Sequence, residues 1–334
     1  MGLMTAALPW LLRAAALATA VALQPPWPAP QPQAEAAHSP LDWAFARALD
    51  KELNESNAVM DHIWATNLEV PEKDTQLHAA SLADRARGLA RILAGGSKGA
   101  LRRRLPRDLD VVCAGGGGFK PFFLLGALQV LDELAKTDAT VSPRLHRYLG
   151  HSGCGQTCFM VVLQGNLSQT LTAQLSYSEL EEALPAEFHG FNDPYHADRA
   201  WRILGSWLVR RYPLRLPRLN NTVFMHVTLV DKPPRNVLVS SYRDAEDARE
   251  AFIATGSLGT LYRGKAAADG GLTVLGTEDF PDHQRPRLYV RMARSAVMLA
   301  GFDRDEADRM VRQGQDAMAK FLRGGPTWAI SIVP

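Results

Sequence analysis

Apolar and polar positions along the chain separate predicted helices from predicted strands. From Leu41 the apolar positions recur every fourth residue, at Leu41, Phe45, Leu49 and Leu53, with charges between them, which predicts an amphipathic helix. A second helix is expected to begin at Ser81, with Asp84 three residues on as its capping-box partner. Leu82, Leu89, Ile92 and Leu93 are its expected buried stripe. Residues 109–113 (Leu-Asp-Val-Val-Cys) are short, apolar and β-branched, and predict a buried strand. Residues 122–134 are apolar at helical spacing. A second strand at 145–149 runs into a helix at 156–164. Near the end, Asp303 with Glu306 three residues on predicts a capped helix. Met310, Val311, Met318 and Phe321 would face its core, and Gly324 would end it.

The N-terminal region follows different rules. Residues 14–23 form an uninterrupted apolar run, well short of the roughly 20 residues that span a bilayer. Small residues at Ala18, Ala20 and Ala22 suit signal-peptidase cleavage, so 1–23 is read as a signal peptide or signal anchor. That reading directs the chain to the secretory pathway or an endomembrane, with a plastid presequence as the alternative. Residues 24–40, with Pro25, Pro26, Pro28, Pro30 and Pro32, are a stiff linker. Residues 41–107 are expected to form a helical extension with a basic segment, and 108–334 the catalytic domain. The basic segment holds Arg85, Arg87, Arg91, Lys98, Arg102, Arg103, Arg104 and Arg107. It reads first as a solvated face and second as a surface for an anionic membrane.

Composition narrows the classes. The chain is 46% hydrophobic and 22% charged, enough apolar content for a sizeable core and too ordered a balance for a disordered or collagen-like chain. With 37 basic and 35 acidic residues, the net charge of +2 argues against a dedicated nucleic-acid binder. Three cysteines, Cys113, Cys154 and Cys158, predict neither a disulfide framework nor a zinc site, and are read as small core residues. No carboxylate cluster suggests calcium, and no cofactor or metal is expected. Asn54, Asn166 and Asn220 lie in glycosylation sequons, which matter only in a secretory setting.

The candidate chemistry sits at three places. The strand at 109–113 runs into Gly115, Gly116, Gly117, Gly118, Phe119, Lys120 and Pro121, then a helix. Glycines let main-chain N–H groups approach an anion, and a helix N-terminus adds positive potential. A dinucleotide fingerprint needs a third glycine where Pro121 or Lys120 stands, and a Walker loop needs Gly-Lys-Ser/Thr, so a transient oxyanion is the better ligand. Next, Gly150-His151-Ser152-Gly153-Cys154-Gly155 places a serine between small residues at a strand-to-helix junction, as in a nucleophile elbow. The usual G-x-S-x-G pattern has Cys154 at its last position, with Gly155 one place later. Its base is open on residues alone. Nine histidines allow a triad such as Ser152, Asp269 and His283, and His151 is adjacent to the serine. His226 reads as a satisfied strand histidine. Asp269, after Ala266–Ala267–Ala268 and before Gly270 and Gly271, can serve as a partly desolvated base, or be only a turn.

Taken in order, Gly-Gly-Gly-Phe-Lys-Pro after a strand, an elbow serine and a downstream Asp-Gly-Gly resemble the patatin-like phospholipases, over about 107–322. In that resemblance 223–230 corresponds to a core strand ahead of a hairpin to 237–241, and 245–255 to the helix before the Asp-Gly-Gly. The loop 256–262 corresponds to the one that brings the aspartate to the serine. The resemblance implies a three-layer α/β/α fold around a mostly parallel sheet. It implies a dyad of Ser152 as nucleophile and Asp269 as base, with the N–H groups of Gly116, Gly117 and Gly118 as the oxyanion hole. Lys120, Gly150, Gly153, Cys154, Gly270 and Gly271 are supporting residues. It implies lipid acyl hydrolysis of phospholipid or acylglycerol at a membrane or lipid-droplet surface, with no cofactor and no nucleic acid. Pro121 stands where the family usually has glycine, and Cys154 where the elbow has its second glycine. A catalytically weak lipid- or partner-binding protein is therefore the alternative, and a nucleotide-binding enzyme the third.

Overall fold

The structure, a computed structural model, describes residues 66–95, 105–114, 120–137, 143–183, 194–257, 259–274, 279–282, 284–291 and 303–334. All of them belong to one compact unit, Val59–Pro334. The expected signal segment, the proline linker, the helix from Leu41, Asn54, the glycines at 115–118 and His283 lie outside the described residues.

The chain forms an α/β unit around an eight-stranded mixed sheet. In chain order the elements are α1 (Lys73–Gly95), β1 (Asp108–Ala114), α2 (Lys120–Thr137), β2 (Arg144–Gly150), α3 (Ser152–Gln164), α4 (Leu167–Ala183) and α5 (Pro194–Arg211). A 3-10 helix (Pro213–Leu219) leads to β3 (Val223–Leu229), β4 (Arg235–Val239), α6 (Ala245–Ala254), β5 (Thr260–Tyr262) and β6 (Lys265–Asp269). A short 3-10 turn (Gly270–Leu272), β7 (Arg287–Arg291), α7 (Arg304–Leu322) and β8 (Ile330–Val333) complete it. The sheet order is β5-β6-β3-β2-β1-β7-β8, with β4 also on β3. The central strands β3, β2, β1 and β7 are parallel, and every outer pairing is antiparallel.

The two faces of the sheet are unequal. On one face Val111 and Cys113 of β1 join a large core with residues of all seven helices, α1 to α7. Helix α2 is buried around most of its circumference because α7, α1, α4 and α3 pack against it. A Cβ at Gly126 would overlap the backbone of Val311, and one at Gly314 the backbone of Phe123, so α2 and α7 touch through their glycines. The other face carries a small cluster of Val112, Leu149, Phe224, Phe280 and Tyr289, which among the described residues draws on no helix. Beside it, Arg147 is held by Asp110 and Asp282, and its guanidinium lies 4.7 Å from the Phe280 ring centroid. Two carboxylates around one buried guanidinium hold it protonated well above the ordinary arginine range, through the hydrogen bonds it donates to Asp282 and then to Asp110.

Three expectations need correction. Helix α1 begins at Lys73 rather than Ser81, so the Ser81–Asp84 pair sits inside it. Pro71 precedes the true start, and polar residues of the first turns are fastened elsewhere: Thr75 donates to Glu179 at 2.7 Å, and His78 pairs with Asp308. Ile92 is 57% exposed, and the buried stripe is Ala79, Leu82, Ala86, Ala90 and Leu93. Cys113 and Cys154 are not separate core residues. They are joined in a disulfide with Cα atoms 5.8 Å apart, and Cys158 is buried and outside that bond. The final helix follows expectation: Asp303 accepts from the N–H groups of Asp305 and Glu306, and Met310, Val311, Met318 and Phe321 are buried.

Candidate active site

Parallel β-strands of an α/β sheet end at one edge, and the loops leaving that edge build ligand sites. Ser152 lies there. Strand β2 ends at Gly150, His151 is extended at φ −134° and ψ 168°, and α3 starts at once on Ser152. Ser152 has φ 53°, one of three non-glycine residues in the left-handed region among those described. An L-residue is held there only by its surroundings, and the strain belongs to the sharp turn that exposes a serine hydroxyl. The surroundings are visible. The Ser152 amide donates to the Thr255 carbonyl at 2.9 Å. A Cβ on Gly155 would lie 3.0 Å from Thr255 Oγ1 and 3.1 Å from the Gly150 carbonyl oxygen. Strand and helix therefore cross through Gly150 and Gly155. The packing that the second glycine of the elbow pattern supplies is supplied by Gly155, one position later. That frees Cys154 to reach Cys113 at the end of β1. Gly153 is half-buried, and its carbonyl accepts from Thr157 Oγ1 at 2.8 Å.

Sheet register brings Asp269 to the same level. Gly150 of β2 pairs with Met225 of β3, and Val227, two residues further on, pairs with Asp269 of β6. Ser152 is likewise two residues beyond Gly150, so one strand separates the two positions, about 10 Å across two strand spacings. The connection is closer than the spacing suggests. Thr255 O, which accepts from Ser152 N, also accepts from Gly270 N at 3.3 Å. One carbonyl thus fastens the serine turn and the residue after Asp269. The Asp269 carboxylate is half-buried, and its Oδ1 accepts from Gly271 N at 2.7 Å. Its carbonyl accepts from Thr228 Oγ1 at 2.7 Å. Gly270 lies against β3, where a Cβ would overlap the His226 carbonyl. Gly271 faces His151: a Cβ there would sit 3.0 Å from His151 Nε2 and 3.1 Å from Asp269 Oδ1. The imidazole beside the serine therefore lies next to the aspartate turn. Each residue of the Asp-Gly-Gly has its own steric or hydrogen-bonding reason.

The sequence-predicted residues divide as follows. Ser152, Gly150, Gly153, Cys154, Asp269, Gly270 and Gly271 are brought together. Lys120 is half-buried at the first position of α2, with Pro121 next in the first turn, where a missing N–H is harmless. Gly116, Gly117 and Gly118, the expected oxyanion donors, are outside the described residues. His226 is a strand residue whose Nδ1 lies 2.6 Å from Asn236 Oδ1. Sequence reasoning missed Thr255. It acts through its carbonyl and through Oγ1, which donates to the His226 carbonyl at 2.8 Å, and main-chain contacts leave no residue-type signature.

Among the described residues no three His, Cys, Asp or Glu side chains are grouped to hold a metal ion. No described helix is long and apolar enough to cross a membrane. Compared with protein-family models, with curated proteins and with solved structures, the chain matches none of them.

Proposed function

We propose that the protein is a lipid acyl hydrolase of patatin-like type, working through a Ser152–Asp269 dyad. The observation that carries the reading is the shared Thr255 carbonyl, which ties the positive-φ serine turn to the Asp-Gly-Gly turn. Strained nucleophile turns and carboxylates fastened beside them are costly arrangements that a fold keeps for chemistry. In this mechanism Asp269 takes the Ser152 proton as Oγ attacks an ester carbonyl carbon. The oxyanion formed is held by main-chain N–H groups, each worth about 3 kcal/mol in the transition state. Collapse expels the alcohol, which receives the proton from Asp269, and leaves an acyl-serine. Water then attacks the acyl-serine, giving its proton to Asp269, and the fatty acid leaves as Ser152 Oγ takes that proton back. Phospholipid or acylglycerol at a membrane or lipid-droplet surface is the substrate class, and the reaction calls for no cofactor. Packing by Gly155 in place of Cys154 removes one argument for a catalytically weak protein.

A long-chain alkyl fluorophosphonate tests the nucleophile without assuming a head group. The unmodified protein is expected to gain one adduct, mapped to Ser152, and Ser152→Ala none. An adduct elsewhere, or none on folded protein, would overturn the reading.

A further inference from the structure

Two arginines of the basic segment, which reads second as a membrane surface, are already partnered, and Lys98, Arg102, Arg103 and Arg104 lie outside the described residues. Arg85 donates to Gln315 and Asp316, both at 2.7 Å, and Arg87 pairs with Asp84 at 2.9 Å and faces Glu133. A different basic surface stands open. Helix α5 ends on Arg210 and Arg211, and the 3-10 helix that follows carries Arg215 and Arg218. Arg210, Arg211 and Arg218 are exposed and form no ion pair among the described residues. From 199 to 230 the sequence holds no acidic residue. The neighbouring helix α6 presents Glu246 and Asp247, but these are taken by Arg249 and by Arg243 and Arg263. Leu214 lies between Arg211 and Arg218 in sequence, 93% exposed and next to Pro213. No other large hydrophobic residue described is so open.

The protrusion is rigid. Arg215 does not face the solvent freely: its guanidinium donates to the Leu163 carbonyl at 3.0 Å and to that of Gln164, and lies 5.5 Å from the Tyr212 ring centroid. It caps the C-terminal end of α3 and holds the turn in place. Pro213 and Pro217 stiffen the turn further.

We propose that Arg210, Arg211 and Arg218 around Leu214 form a docking surface for an anionic lipid bilayer. Three unpaired cations supply the attraction to acidic head groups. The leucine decides the partner: a nucleic acid or an acidic peptide has no use for a lone exposed apolar tip, whereas a bilayer takes it into the acyl boundary. Position gives the surface its role. Helix α3 runs from Ser152 to Gln164, about 20 Å at 1.5 Å per residue, and Arg215 closes its far end. The docking surface is thus at the opposite end of α3 from the serine. It tethers the protein through side chains that the ester chemistry does not use, so docking and turnover of a soluble ester are separable. The inference stands whether or not Ser152 is a nucleophile.

The experiment is flotation of the full-length protein with phosphatidylcholine vesicles, with and without phosphatidylserine, at low and high salt. The surplus binding to the anionic vesicles is the readout. It is expected to fall with salt, by about a hundredfold in the R210Q/R211Q/R218Q variant and by about tenfold in Leu214→Ser. Arg87→Gln is expected to bind as the unmodified protein does. All variants should keep their melting temperature and their turnover of a soluble ester. An anionic surplus that survives the triple substitution overturns the proposal. So does a triple variant that loses oligonucleotide or heparin binding while Leu214→Ser changes nothing, which would assign the surface to a polyanion.

Discussion

Gly270→Ala is the sharpest perturbation of the candidate site that leaves its functional groups in place. Gly270 has no positive φ, so alanine brings no backbone penalty there and the effect is purely steric. The added methyl would overlap the His226 carbonyl of β3. Non-bonded atoms settle near 3.5 Å, so the turn has to move off the strand by more than about 1 Å. Overpacking of this kind destabilises by about 1–3 kcal/mol, a few degrees of melting temperature for a domain of this size. The catalytic effect should be larger. Gly270 N and Ser152 N share the Thr255 carbonyl, so a shift of the turn moves Asp269 relative to Ser152. Misplacement by about 1 Å lowers turnover by about a hundredfold. The assay is turnover of a soluble p-nitrophenyl ester beside thermal melting, with Gly88→Ala as comparison. A Cβ at Gly88 in α1 meets nothing within 4 Å, so that change should stabilise by about 1 kcal/mol and leave turnover alone. Gly270→Ala protein that melts and turns over like the unmodified chain would refute the reasoning.

Three further outcomes follow from the packing. Arg147→Met leaves Asp110 fully buried with only Arg285, at 3.6 Å, to face it, and should destabilise by about 3–5 kcal/mol in thermal melts, most of it restored by adding Asp110→Leu. Burial raises the Asp247 pKa, but hydrogen bonds from Arg263 and Arg243 outweigh it and hold the carboxyl at about 2, below the ordinary 3.8. Its stabilisation should be complete above about pH 4 and be lost as the pH falls through about 2, and Asp247→Asn should flatten the pH dependence of melting in that window. Reducing the Cys113–Cys154 bond, or replacing both cysteines by alanine, reopens a loop of 41 residues' separation and should destabilise by about 2–4 kcal/mol. Before reduction, denatured protein should release a single thiol, that of Cys158.

Much of the fold was legible because local pattern and tertiary burden agree. The β1 run is almost wholly apolar, Asp110 apart, because both its faces are buried, α2 and α7 show their cores as apolar spacing, and Asp303 caps α7 as its residue type implies. The serine turn and the Asp-Gly-Gly were legible for a related reason, since close backbone approach admits only small residues. Other features depend on distant partners. The start of α1 rests on Glu179 and Asp308, more than 100 residues away in sequence. The Cys113–Cys154 bond requires knowing that β1 and α3 meet. The antiparallel outer strands β5, β6 and β8 are three to five residues long, too short to show a period. The unpaired state of Arg210, Arg211 and Arg218, against the paired state of Arg85 and Arg87, is a property of neighbours rather than of sequence.

The central claim is that Ser152 and Asp269 act as one catalytic pair. Its most direct test is fatty-acid release from phosphatidylcholine, a galactolipid and triacylglycerol by the unmodified protein, Ser152→Ala and Asp269→Asn, each checked for folding by thermal melting. The account predicts release from at least one lipid by the unmodified protein and its loss in both variants. No release by the unmodified protein, or equal release by folded variants, would contradict it.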